Sequence, residues 1–111
     1  MKKGNPIFRS LDKLWEWVIK DRAGWRCELC SDGRNGLEAH HINSRRQHWT
    51  RWDKRNGVAV CQGGCHDERK VLEWLEANHP KRYRWIMKQR ATVHRGRIDL
   101  ARVERSLIKQ Y

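Results

Sequence analysis

Four cysteines in two close pairs constrain the fold of this chain more than any other feature. Two residues separate Cys27 from Cys30, and three residues separate Cys61 from Cys65. Close pairs that lie far apart in sequence are typical of a tetrahedral zinc site assembled from two turns. Because a domain of 111 residues has a small core, a metal that joins its beginning to its middle would add folding free energy. We therefore predict a structural Zn²⁺ bound by the four thiolates.

Two alternatives to this ligand set stay open. The second pair has one residue more between its cysteines than is common, so His66 could replace Cys65 as the fourth ligand. The thiols could also form disulfides or be buried without a metal. The chain starts without the apolar stretch of a signal peptide. This start predicts a cytoplasmic, reducing compartment, where disulfides are disfavoured.

The apolar periodicity predicts an α+β, mostly helical chain that forms one domain over residues 1–111. Two short strands are predicted at 37–42 and 58–61, joined by a polar, basic loop over 43–55. Helices are predicted between Ser10 as N-cap and Gly24, at about 65–78, at 81–90 after Pro80, and at 100–108 after Asp99 as N-cap, with 1–9 as a loose lead-in. The domain then divides into an N-terminal lead and helix (1–24), a zinc-stabilised core (25–78) and basic C-terminal helices (79–111).

The charge of the chain predicts the class of its partner. Lys plus Arg number 25 against 13 Asp plus Glu, a formal net charge of +12. Residues 81–97 hold seven basic residues and no acidic one. Such an excess fits a phosphate backbone better than a small ligand, although a short charge run can also be a solvated face. The predicted DNA contacts are Arg45, Arg46, Arg51, Lys81, Arg82, Arg84 and Lys88. No apolar run is long enough to span a membrane, so no membrane partner is expected.

The chain is rich in tryptophan, with seven in all. Five of them are predicted to be mainly core residues: Trp15, Trp17, Trp25, Trp74 and Trp85. Trp49 and Trp52 lie among arginines of the loop. Stacking on unpaired bases and packing over the strands are both open for these two.

Four further candidate site residues are placed relative to the cysteines: His40, His41 and Asn56 lie between the two pairs, and His66 directly follows Cys65. His40 falls at the end of a predicted strand and His66 at the start of a helix, where two imidazoles can hold a divalent cation. His41 could act as general base on water, because the pKa of imidazole lies near neutral. Adjacent residues of an ideal strand point to opposite faces. His40 and His41 therefore serve one site only if the chain bends there.

The joint pattern of these residues resembles the HNH endonuclease family. It consists of the first cysteine pair, Leu37-Glu38-Ala39-His40-His41-Ile42, Asn56-Gly57-Val58-Ala59-Val60-Cys61 and Cys65-His66, and it covers about residues 25–75. The resemblance implies a ββα-metal core with a four-Cys structural zinc, and cleavage of phosphodiester bonds with one catalytic cation such as Mg²⁺ or Mn²⁺. It also implies that His40 and His66 bind this cation, that His41 is the general base, and that Asn56 fixes the active-site loop or contacts the metal. The products would carry 5′-phosphate and 3′-hydroxyl ends.

A second, narrower resemblance covers the loop. The segments His41-Ile42-Asn43-Ser44-Arg45-Arg46 and Thr50-Arg51-Trp52-Asp53, followed by Asn56, are similar to the phage recombination nucleases NinG and Rap, which act on branched DNA. This resemblance implies a phage or prophage origin and action in a bacterial host cell. We expect a metal-dependent DNA endonuclease, with a second copy or a phage protein as a possible partner. The alternatives are a zinc-stabilised DNA-binding module and an accessory nuclease subunit that is active only with a packaging or recombination partner.

Overall fold

The computed structural model describes residues 5–33, 36–62, 65–94 and 96–109. These ranges contain α1 (Pro6–Arg22), β1 (Leu37–His41), α2 (His48–Arg51), β2 (Gly57–Cys61), α3 (Glu68–Asn78), α4 (Pro80–Ala91) and α5 (Leu100–Ile108). A single 3-10 turn, Lys54–Asn56, leads into β2. The α+β prediction with two short strands is confirmed. Among the described helices, none combines the length and the apolar character needed to cross a membrane.

The first helix begins one turn earlier than the sequence pattern predicted. Asn5, not Ser10, is the N-cap, and its side-chain oxygen accepts a hydrogen bond from the Ile7 amide at 2.9 Å. Pro6 follows at the first helical position, where the missing N–H and the fixed φ of proline suit a helix. The described part of the predicted loose lead-in, residues 5–9, is therefore capped and largely helical.

The other helix ends follow their capping residues. Pro80 is the first residue of α4, and the carboxylate of Asp99 accepts from the Arg102 amide at 3.1 Å to cap α5, as predicted. The α3 helix begins later than predicted. Its N-cap is Asp67, whose carboxylate accepts from the Lys70 amide at 3.1 Å.

The two strands form an antiparallel pair that is covered by helices on both faces. Leu37 lies opposite Cys61, and His41 lies opposite Gly57. Every residue of β2 is buried. Val58 and Val60 pack in a cluster with residues of α3 and α4, whereas Ala59 belongs to a second cluster with residues of α1 and α5. Successive residues of β1 therefore face these two clusters alternately.

The α1 helix approaches β2 most closely at Gly57. A Cβ atom at this position would lie 2.5 Å from Cζ2 of Trp15 and 2.5 Å from Cδ1 of Ile19. Only glycine fits this contact without a shift of the helix. Trp15 is 1% exposed there, as predicted for a core residue, and the close approach brings its ring against His41.

Candidate active site

The four cysteines come together in space. Their Sγ atoms all lie within 4.8 Å of one another, and the Cys30 and Cys61 sulfurs are 3.6 Å apart. A tetrahedron with Zn–S bonds of about 2.3 Å places its sulfurs about 3.8 Å from one another, whereas a disulfide needs about 2.0 Å. No disulfide joins the four cysteines. They can therefore hold a metal ion such as zinc, and this part of the prediction is confirmed.

The first cysteine pair lies in a tight turn that aims its thiols at the end of β2. The Cys27 amide donates to the Asp32 carbonyl at 2.9 Å, and the Ser31 amide donates to the Cys27 carbonyl at 2.8 Å. Cys61 is the last residue of β2, so the strand carries the second pair to the same point. The cluster consequently ties the segment after α1 to the sheet.

The electrostatics of the cluster fit a bound cation. Burial and the neighbouring sulfurs of Cys30, Cys61 and Cys27 raise the pKa of the Cys65 thiol. Four thiolates packed this closely repel one another unless a positive ion lies between them. His66 lies beside His40 instead of in this cluster, which favours the four-thiolate ligand set over the alternative with His66.

His41 is held in one orientation by two contacts. Its ring stacks on Trp15 with centroids 3.9 Å apart and planes 11° apart. Its Nε2 atom lies 3.0 Å from the carbonyl oxygen of Arg51. A carbonyl only accepts, so Nε2 carries the proton and Nδ1 keeps its lone pair. Burial lowers the pKa of His41 to about 4, so the imidazole is neutral at physiological pH but is a weaker base than a free imidazole.

His40 and His66 face each other from β1 and the segment before α3. Their ring centroids are 5.3 Å apart, and His66 Nδ1 lies 3.3 Å from Oε2 of Glu38. Among the described residues, buried Nε2 of His40 has no hydrogen-bond partner, and buried Oε2 of Glu38 has only this contact with His66. An unpartnered nitrogen beside a second imidazole and a carboxylate fits a cation. Within the described residues, only the four cysteines form a group of three or more such ligands within 4.8 Å, so this pair would need oxygen ligands from outside the chain.

His40 and His41 point to opposite faces of the sheet yet border the same cleft. His40 pairs with Val58 on the face covered by α3 and α4, and His41 lies against α1. The sheet is two strands wide in the described chain, so side chains from both faces of β1 reach its open edge. The open cleft there has a volume of about 550 Å³ and is lined by Glu16, Glu38, Ala39, His40, His41, Arg45 and His66. No bend of the chain is required.

Asn56 locks the ends of the loop that connects the strands. Its Oδ1 accepts from the Asn43 amide at 2.7 Å, and its Nδ2 donates to the Asn43 carbonyl at 3.1 Å. Both asparagines are buried. Asn56 is not among the residues that line the cleft. Of the two roles expected for Asn56, the structure therefore matches loop fixation and not metal contact.

The sequence did not predict the residues that hydrogen-bond the side chain of Asn43. The Asn43 Oδ1 accepts from Nε of Arg90 at 2.6 Å, and its Nδ2 donates to the Ile86 carbonyl at 3.2 Å. These bonds tie the loop to α4. Asn43 belongs to the loop segment quoted above, but its partners Ile86 and Arg90 lie 43 and 47 positions further along the chain. No local sequence signal marks contacts over such separations.

Two of the arginines predicted to contact DNA form hydrogen bonds within the protein. The Arg51 guanidinium donates to the Asp12 carboxylate at 2.6 and 3.0 Å, and Arg82 donates to the carbonyls of Arg55 and Gly57. Burial also lowers the pKa of Arg82 to about 10. These internal bonds hold both side chains in the fold, and contact of Arg51 and Arg82 with DNA stays a prediction. Arg45 lines the cleft, and the remaining candidates are exposed on the surface: Arg46, Lys81, Arg84 and Lys88.

Comparison with known proteins adds no relative. No family model matches the chain, and neither a curated protein nor a solved structure matches it.

Proposed function

We propose that this protein is a metal-dependent endonuclease that hydrolyses phosphodiester bonds of DNA. One observation carries the proposal. The cleft brings together a neutral, oriented imidazole, His41, and a facing pair, His40 and His66, with an unpartnered buried nitrogen. Hydrolysis of a phosphodiester needs both a base for water and a site for a cation. The resemblance to the HNH family supports the same assignment of roles.

His41 would remove the proton from the attacking water. Its Nδ1 lone pair is available because Nε2–H is donated to the Arg51 carbonyl. The stack on Trp15 restrains rotation of the ring, so the orientation of the lone pair is fixed. Arg45 at the cleft can bind a phosphate oxygen of the substrate.

His40 and His66 would hold the catalytic cation, Mg²⁺ or Mn²⁺ being the first candidates. When bound, such an ion polarises the phosphate and stabilises the leaving oxygen. The chain contributes the orientation of both imidazoles. His40 is fixed by its strand, and burial with the nearby charge of His66 lowers the pKa of His40, which favours the neutral imidazole that can bind a metal.

The cysteine cluster would bind a structural Zn²⁺. It joins the turn after α1 to the end of β2, and His66 follows Cys65 directly. The zinc would therefore set the position of one ligand of the catalytic cation without taking part in the chemistry. The surplus of basic residues, +12 in formal charge, would attract the DNA backbone.

Cleavage of DNA tests the proposal. Purified zinc-loaded protein is incubated with supercoiled plasmid and with a four-way junction, with Mg²⁺, with Mn²⁺ or with no added metal. We expect cutting only with added metal, and its loss in His66→Ala. His79→Ala is the matched control, since His79 lies at the start of α4 away from the cleft and should cut normally.

Two other outcomes would replace the proposal. If the protein binds DNA but leaves every substrate intact, it is a zinc-stabilised DNA-binding module. If cutting appears only after a co-purifying partner is added back, it is an accessory nuclease subunit.

A further inference from the structure

A groove separate from the cleft is built around the exposed ring of Trp49. This indole is 41% exposed and borders two cavities, of about 550 and about 420 Å³. Arg97 and Ile98 also line both cavities, so the two volumes meet along these residues. We call this surface the Trp49 groove. None of the three histidines assigned to the proposed chemistry lines it.

The fold holds the Trp49 ring in place. His94 stacks on it with ring centroids 5.1 Å apart and planes 25° apart. The His94 ring is held in turn by a 2.8 Å hydrogen bond between Nε2 and Oε1 of Gln89. The neighbours of Trp49 in sequence, Thr50 and Trp52, are buried. His94 therefore covers part of the indole, and the rest of the Trp49 ring stays accessible as an apolar surface on which another ring can stack.

The groove carries positive charge next to this ring. Arg46 lines the first cavity, Arg102 the second, and Arg97 both. All three are exposed, and none forms a salt bridge with any residue that the structure describes. Both carboxylates of the second cavity are already engaged, since Asp53 binds Arg55 at 2.8 Å and Asp99 caps α5.

We propose that the Trp49 groove binds unpaired nucleotides of single-stranded DNA. A base would stack on the indole of Trp49, and the guanidinium groups of Arg46, Arg97 and Arg102 would bind the flanking phosphates. Aromatic stacking combined with a basic track is the general means of binding single strands without sequence preference. Paired bases are stacked inside the duplex and cannot reach the indole. The groove therefore selects single-stranded over double-stranded DNA.

The position of the groove along the chain relates it to the cleft. Arg45 lines the cleft and Arg46 lines the groove, so one peptide bond separates the two surfaces. This step rests on the proposed nuclease function: an unpaired nucleotide in the groove would direct cutting to a nearby phosphate. The binding itself does not depend on that function.

Binding of labelled oligonucleotides tests the groove without any cutting. Fluorescence anisotropy is measured with a thymidine oligonucleotide and with a blunt-ended duplex of equal length, at a series of matched salt concentrations and with no Mg²⁺ or Mn²⁺ added. We expect Trp49→Ala to weaken binding of the single strand about tenfold or more, the range known for loss of one stacked base. Trp49→Phe should retain most of the affinity, and duplex binding should change less than twofold.

Trp17→Ala is the matched control, because Trp17 is 48% exposed on α1 and does not line the groove. It should bind both probes like the wild type. Arg97→Gln, which leaves the ring in place, should weaken single-strand binding and flatten its salt dependence. Equal single-strand affinity of Trp49→Ala and Trp17→Ala would overturn the proposal, and so would an equal loss of duplex binding. Because no cleavage is measured, the binding results can be interpreted even if the protein is not a nuclease.

Discussion

Asp12 shows how a side chain distant in sequence orients His41, the proposed general base. Its carboxylate accepts hydrogen bonds from Arg51 at 2.6 and 3.0 Å and from the Trp52 indole at 2.8 Å. The carbonyl of Arg51 in turn lies 3.0 Å from Nε2 of His41. Asp12 thus holds the peptide that determines which nitrogen of His41 carries the proton. It is a positioning residue, since it is not among the residues that line the cleft.

The same carboxylate makes stability depend on pH. Burial alone would raise the pKa of Asp12, but the hydrogen bonds from Arg51 and Trp52 and the charge of Arg51 outweigh it, so its pKa lies below the ordinary 3.8. A carboxyl with a lowered pKa stabilises the fold above its ordinary value, and this stabilisation is lost as the pH falls through the lowered value.

We therefore expect Asp12→Asn to reduce the free energy of unfolding by about 1–2 kcal/mol at pH 7, as for loss of charged hydrogen bonds. Denaturant unfolding of both proteins between pH 7 and pH 2 measures this. The difference should shrink below pH 4 as the wild-type carboxyl takes up its proton. A difference that stays constant over the whole range would show that the charge of Asp12 contributes nothing.

At the scale of elements, the contact between α1 and β2 determines the position of His41, the proposed general base. The helix approaches so closely at Gly57 that a Cβ atom there would lie 2.5 Å from the ring of Trp15 and 2.5 Å from a methyl group of Ile19. The opposite residue in the register is His41, which stacks on the same Trp15. Packing of the helix and orientation of His41 are therefore one structural feature.

Gly57→Ala should destabilise the protein by about 1–3 kcal/mol, the usual cost of an added methyl group in a close-packed core. It should also move α1 away from β2 and loosen the stack of Trp15 on His41. Denaturant unfolding measures the first effect and Trp fluorescence reports the second. Unchanged stability would contradict the close approach of the two elements.

Local signals predicted most of the elements and failed where a cap was overlooked. Pro80 and Asp99 mark the starts of α4 and α5 as predicted. Asn5 and Pro6 form an equally good start signal, but the weak apolar pattern of residues 5–9 concealed it. A short helix, α2, also interrupts the predicted loop.

At the scale of the whole molecule, the spacing of the cysteines predicted one long-range contact, the approach of Cys27 and Cys30 to Cys61 and Cys65. It did not predict the pair of Asp12 and Arg51, which are 39 positions apart, because a single carboxylate and a single guanidinium form no pattern in sequence. Core positions of tryptophan were equally uncertain. Trp17 and Trp25 are about half-exposed and pack edge to face on each other, against expectation.

The metal of the cysteine cluster should be required for the fold as a whole. We expect one Zn²⁺ per chain by elemental analysis, and loss of cooperative thermal unfolding in Cys27→Ser and Cys61→Ser or after chelation, since structural zinc contributes folding free energy directly. His66→Ala should keep its zinc and its melting transition. Loss of zinc from that variant would instead place His66 in the cluster.

The proposed role of His41 as general base is tested most directly by the cleavage rate of His41→Ala with and without added imidazole. Removal of a general base slows a reaction by about 10²–10⁴-fold, so the variant should bind DNA normally and cut at least about a hundredfold more slowly. Imidazole in solution should restore part of the rate in His41→Ala and leave the wild type unchanged. Cutting by His41→Ala at the wild-type rate would contradict the assignment of His41 and with it the proposed mechanism.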